Sequence, residues 1–219
     1  MATVDIGDNT GDDFSGTEDT KLKSTEATTN YGSEGTTEVT KYEVGNHSHT
    51  IMKFSGISNL PGALNVSSST LYLYRVPPGH DYNITAKVLN RNWVEGEATW
   101  NIYSTGNSWT TAGGLHETDD RSSTTTFDIL SDDDTAYIDF SSAQLAADVE
   151  DFADGSLSNY GWHIARTGVG EDEKYQTYVT SDGDDGKRPY LSVTYTEAGG
   201  GSPGVVLLMD HFNGGFLNG

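Results

Sequence analysis

The sequence predicts an all-β protein, an antiparallel two-sheet jelly-roll-like sandwich with one short helix and extended terminal arms. Short alternating segments recur between Asp19 and Thr196, broken by Gly, Asn, Asp and Pro at the intervals of a sandwich. Hydrophobic residues make up only 34% of the 219 positions while aromatics reach 11%, which suits a thin core filled by large rings and β-branched side chains. A disordered chain would lack those rings.

The strand candidates run over Thr36–Val44, Thr50–Phe54, Ser69–Arg75, Asn83–Val88, Ala136–Phe140, Gly161–Arg166, Tyr175–Thr180 and Tyr190–Tyr195. In Thr70-Leu71-Tyr72-Leu73-Tyr74 the leucines alternate with tyrosines, so one face packs inward and the other presents phenol rings. The helix is expected over Ser142–Phe152, where serines open it and Leu145, Val149 and Phe152 recur near helical spacing. No internal repeat is present. Residues 1–18 read as an extended N-terminal arm, 19–197 as the sandwich, 198–204 as a glycine-rich linker and 205–219 as a C-terminal docking tail.

Charge narrows the function. With 33 Asp and Glu against 12 Lys and Arg the formal net charge is −21, a field that repels nucleic acid and anionic membrane surfaces. Solubility, calcium ligation and life in a saline medium each fit that acidity. There are no cysteines, hence no disulfide, thiolate metal site or cysteine nucleophile. Residues 1–20 lack the basic start and apolar core of a signal peptide, and no apolar run approaches the length of a membrane span. A virion-surface or extracellular protein is expected, one that travels by lysis, by a leaderless route or after a leader has been cut away.

Several ordered pieces carry a family resemblance. Asn30-Tyr31-Gly32 follows an early strand and Tyr42-Glu43-Val44-Gly45 comes soon after. Met52-Lys53-Phe54 then leads to Leu60-Pro61-Gly62-Ala63 and the Ser69–Tyr74 strand. Next stand Asn92-Trp93-Val94-Glu95-Gly96, Thr99-Trp100-Asn101, Trp109 and Gly113-Gly114. The helix precedes Asn159-Tyr160-Gly161, and Arg188-Pro189-Tyr190-Leu191 opens the last strand. In that order, from Asp19 to Tyr195, the chain resembles the DNRLRE (disaggregatase-related) carbohydrate-binding domains. The resemblance implies a non-catalytic sandwich linked to polysaccharide binding or to polysaccharide-degrading enzymes.

Candidate site residues follow from side-chain chemistry. Aromatic faces stack on sugar rings, so Trp109, Tyr72, Tyr74 and Tyr103 are the expected glycan contacts, with Tyr82 a further member of the platform. Trp109, set among Ser, Thr and Gly, is expected to be exposed, whereas Trp93 and Trp100 are expected to plug the end of the sandwich. Asp182, Asp184 and Asp185 have the spacing of a calcium loop without the terminal Glu of an EF-hand, and calcium is the one cofactor expected. His47 and His49 share one strand face but lack a third metal ligand nearby in sequence. Glu95, Glu97, Asp119, Asp120 and Asp132 to Asp134 are the carboxylates from which a glycosidase pair would be drawn, yet no motif positions them.

The tail supplies the remaining expectation. Val205, Val206, Leu207, Leu208 and Met209 form an apolar pentad, followed by Phe212 and Phe216 among glycines. Left in water such a pentad costs several kcal/mol, at roughly 25 cal/mol per Å². Docking onto other subunits of the same assembly, as a homo-oligomer or on capsid proteins, removes that cost. The sequence alone therefore favours a non-catalytic decoration or fibre subunit of a tailed virus whose sandwich meets glycans. Its alternative is a carbohydrate-binding module of a secreted polysaccharide-degrading system.

Overall fold

A computed structural model of the chain describes residues 1–41, 45–77, 82–131, 137–167 and 175–198. Tyr42 to Val44, Asp132 to Asp134 and the whole apolar tail, from Val205 through Phe216, lie outside the described residues.

Among the described residues, thirteen strands and one α-helix follow in chain order. They are β1 Ala2–Gly7, β2 Thr17–Lys23, β3 Thr36–Lys41, β4 His47–Phe54, β5 Leu64–Val76, β6 Tyr82–Val88, β7 Ile102–Ser104 and β8 Asn107–Ser108. After them come β9 Phe127–Ser131, β10 Tyr137–Ser141, α1 Ala143–Asp154, β11 Trp162–Arg166, β12 Tyr175–Val179 and β13 Tyr190–Glu197. Every described pairing between these strands is antiparallel. Eleven of them form one curled sheet in the order β1-β13-β5-β12-β3-β4-β11-β6-β9, with β10 also on β5 and β2 also on β4. The sheet folds over its own core, so it acts as two facing sheets. β1, β13, β5 and β10 make the first, and β12, β3, β4, β2, β11, β6 and β9 make the second.

Alternation fills the space between them. Leu71 and Leu73 of β5, Leu191 and Val193 of β13, Met52 and Phe54 of β4 and Trp162 and Ile164 of β11 all enter one cluster. Most of these side chains are removed from water almost entirely, and each contributes on the order of 1.5–3 kcal/mol of burial. The helix closes the cluster with Leu145, Val149 and Phe152. Ser142 caps its start by accepting from the Leu145 N–H at 2.9 Å, and Gly155 ends it in the left-handed conformation at φ 80°.

The amino-terminal segment, expected as an arm, is extended but built into the sandwich. β1 pairs with β13 from Ala2↔Tyr195 to Gly7↔Tyr190, and Ile6 sits fully inside the core. The following loop is fastened by Asp8, which accepts from the Gly16 and Thr17 N–H groups at 3.0 and 2.7 Å.

Candidate functional site

The second sheet has an outer face as well, and it carries the most elaborate part of the molecule. Ile51 of β4 and Leu22 of β2 point outward there, which would leave two apolar side chains in water. A long excursion between β6 and β9, regular only in the β7–β8 hairpin, folds over them and brings Leu89, Trp93, Ala98 and Trp109 into a second cluster.

Polar groups hold that excursion in place. Asp120, with no exposed surface, accepts from the backbone N–H groups of Thr110 and Thr111 at 2.9 Å each and of His116 at 3.2 Å. Burial pushes its pKa up, but these donors outweigh burial and leave it below the usual carboxylate value. The two Asn-Tyr-Gly turns work alike. Asn30 accepts from the Gly32 N–H while its amide donates to the carbonyls of Glu95 and Ala98. Asn159 accepts from the Gly161 N–H and donates to the Phe54 carbonyl.

Trp109 is buried, at 5% exposure, and its indole N–H donates to the Thr99 carbonyl at 2.9 Å. The expectation that it is exposed is therefore corrected: its flanking Ser, Thr and Gly belong to a loop that closes over the ring. Trp93 is buried as expected, donating to the Tyr160 carbonyl. Trp100 is the half-buried indole. It packs across Gly113, whose φ of +83° and lack of a Cβ admit it, since a Cβ there would stand 2.7 Å from the ring. Tyr103 packs on Trp109 at 5.4 Å, with the Arg91 guanidinium 5.6 Å from its ring.

Beyond the excursion the outer face stays open as a cleft of about 340 Å³. His47, His49, Lys87, Glu117, Arg121 and His163 line it. The third imidazole that the sequence did not place near His47 and His49 is His163, brought there by the pairing of β11 with β4. Its Nδ1 lies 3.1 Å from an Arg121 nitrogen that can only donate, so Nδ1 accepts and Nε2 carries the proton. That Nε2–H faces the Gly113 carbonyl at 3.0 Å and His49 Nδ1 at 3.1 Å. Burial first, then His49 and Arg121, hold the His163 pKa well below its ordinary value, so the ring is neutral. A protonated Nε2 is no metal ligand, and among the described residues no group of His, Asp and Glu is arranged to hold a metal ion. Lys87 and Arg121 both engage Glu117, the latter at 3.6 Å, and Glu117 is itself half exposed.

The other expected contacts are dispersed. Tyr72 and Tyr74 stand on the outer face of the first sheet, where Tyr190 stacks on Tyr72 at 4.5 Å and Tyr137 meets Tyr74 edge-on at 5.1 Å. Tyr82 points the other way, into the core, and its hydroxyl donates to the Val39 carbonyl. The tyrosines therefore form no common platform with Tyr103, which belongs to the excursion. Asp185 accepts from the Thr10 N–H and hydroxyl, and Asp184 pairs with Lys187 at 3.0 Å, so two of the three carboxylates expected to share a calcium are engaged with separate partners. Glu95 accepts from the Asp19 N–H and Glu97 from the Thr105 N–H, each at 2.7 Å, so both serve the backbone.

The model of carbohydrate-binding module family 96 matches residues 11–129, more than half of the 219-residue chain. The chain belongs to this family. The matched segment runs from the loop before β2 into β9 and so takes in the whole excursion, with the cleft residues His47, His49, Lys87, Glu117 and Arg121. In this family 96 protein the sandwich also contains β1, β10, α1 and β11 to β13, which lie outside the matched segment. No curated protein matches the chain.

Proposed function

We propose that the chain is the carbohydrate-binding module of a polysaccharide-processing system, and that it binds an acidic sugar unit in the cleft on the outer face of the second sheet without turning it over. One observation carries the choice of ligand. In a chain of net charge −21, Lys87 and Arg121 converge on a sugar-sized cleft, flanked by three imidazoles. Glu117 occupies both cations from an exposed position, where a ligand carboxylate would compete with it. A carboxylate held by a guanidinium and an ammonium forms charge-assisted hydrogen bonds, about twice as strong as neutral ones.

The family assignment favours this reading over the virion subunit, whose apolar tail lies outside the described residues. Kinship with the DNRLRE-type modules is part of the same proposal and rests on the ordered motifs from Asn30 to Tyr190.

Affinity gels loaded with acidic and with neutral polysaccharides test the proposal. Retention on the acidic gels is expected to fall about tenfold in Lys87→Ala, equivalent to 1.4 kcal/mol, and to weaken as salt rises. Retention on the acidic gels that neither salt nor Lys87→Ala moves would show the reading to be wrong.

A further inference from the structure

We propose that the module carries a second carbohydrate site, for an uncharged sugar, in the groove beside Tyr74. The groove encloses about 610 Å³ and shares no lining residue with the cleft. Its floor comes from the ends of three strands, at Thr36, Val76 and Val179, and its wall is the turn holding Asp182, Asp184 and Lys187.

Three kinds of group that recognise a pyranose meet there. The half-buried Tyr74 ring offers an aromatic face, and Tyr137 backs it edge-on with the two planes at 88°. The ammonium of Lys187 lies 5.6 Å from the centre of that ring and pairs with Asp184 at 3.0 Å. Asp182 adds a second carboxylate. A C–H face of the sugar takes the place of the ammonium on the ring. Lys187 then donates to a sugar oxygen, and Asp184 accepts from hydroxyls.

The wall is preorganised although its charged side chains face water. Arg188 donates from Nε to the Gly183 carbonyl at 2.9 Å and from Nη1 to the Asp8 carbonyl at 2.7 Å. Thr10 donates its N–H and hydroxyl to Asp185, and the Tyr137 hydroxyl reaches the carbonyls of Gly186 and Arg188 at 3.1 Å. Gly183 admits the closest approach, because a Cβ there would stand 2.3 Å from Val179 and 2.8 Å from the Gly35 carbonyl. Holding a turn this firmly lowers the ordering cost that binding would otherwise meet.

Charge decides the ligand class. Two carboxylates against one ammonium disfavour an anionic sugar here, whereas Lys87, Arg121 and Arg166 line the cleft against the single carboxylate of Glu117. The two sites therefore select sugars of different charge, and one module joins two kinds of glycan.

Amide NMR spectra of the full chain, titrated separately with cellohexaose, mannohexaose and an oligouronate, provide the test. A neutral hexaose is expected to move amides at 35–36, 74–76 and 179–187, with little change at 47–49 and 113–121. Tyr74→Ala should lower that affinity about tenfold, and Asp184→Asn, at a largely exposed position, by about threefold. Lys87→Ala should leave it unchanged, so the groove stands or falls separately from the cleft. If neither neutral hexaose moves the groove amides at about 10 mM, enough to saturate a millimolar site, the proposal is overturned. It is equally overturned if the oligouronate alone moves them.

Discussion

The two outer faces of the sandwich start from the same strand alternation and are finished by different means. On the first sheet, tyrosines cover one another across strands: Tyr72 faces Tyr190, Tyr74 faces Tyr137, and no other part of the chain is needed to keep the rings together. On the second sheet, Leu22 and Ile51 are apolar and outward, and an excursion from another part of the chain must cover them. A face covered by its own side chains stays accessible and tolerant. A face covered by a loop gains a shaped cleft and depends on whatever fastens the loop.

That dependence is where the largest effect is expected. Asp120→Ala leaves three backbone N–H groups of the excursion without their acceptor, at a cost of about 3–5 kcal/mol. Denaturant melts should show the loss, and binding to acidic polysaccharide should vanish at temperatures where the core remains folded. Trp109→Ala should cost a similar 3–5 kcal/mol because it empties a buried site, and a variant of unchanged stability would contradict the placement of that ring.

Next in size is a pH effect at the seam between the excursion and the sandwich. Asp19 is buried on β2, accepts from the Ser181 N–H, and has its pKa pushed to about 7, chiefly by burial. A carboxyl with a raised folded pKa is a stabilising partner only while protonated. The folded state is favoured below the unfolded value near 3.8 and loses that advantage as pH rises to about 7. Asp19→Asn should therefore gain on the wild type by about 2–4 kcal/mol between pH 4 and pH 8. Melting temperatures at the two pH values measure it, and a constant difference would mean that Asp19 is ionised throughout.

Smaller effects sharpen the contrast from the other side. Tyr72→Ala removes one stacked ring from a self-covering face and should cost about 1 kcal/mol without touching the cleft. Glu117→Gln removes the carboxylate that competes for Lys87 and Arg121, and should raise affinity for an acidic oligosaccharide by about threefold. Calorimetric titration reads the gain, and a loss would assign Glu117 to the ligand instead.

The tyrosine face was legible in the sequence because its signal is local. Leu71, Tyr72, Leu73 and Tyr74 alternate within one strand, and period two is enough to assign their faces. The helix was legible for the same reason, from Ser142 and the spacing of Leu145, Val149 and Phe152. The cleft was not. His49 and His163 stand 114 positions apart and meet only because β11 pairs with β4, a register that no local pattern declares. Trp109 misled because a polar neighbourhood in sequence resembles a loop in water, while this loop folds back over a sheet. In sequence β1 reads as an arm, because its pairing partner, β13, lies at the other end of the sandwich.

One strand ties the two sheets together. β5 pairs with β13 and β10 in the first sheet, and its last residues, Arg75 and Val76, cross to pair with β12 in the second. Neither sheet can melt and leave the other whole, because the same thirteen-residue strand would have to be lost from both. Thermal unfolding should consequently be a single cooperative event, with van't Hoff and calorimetric enthalpies in agreement. The slowest-exchanging amides of the molecule should cluster along β5.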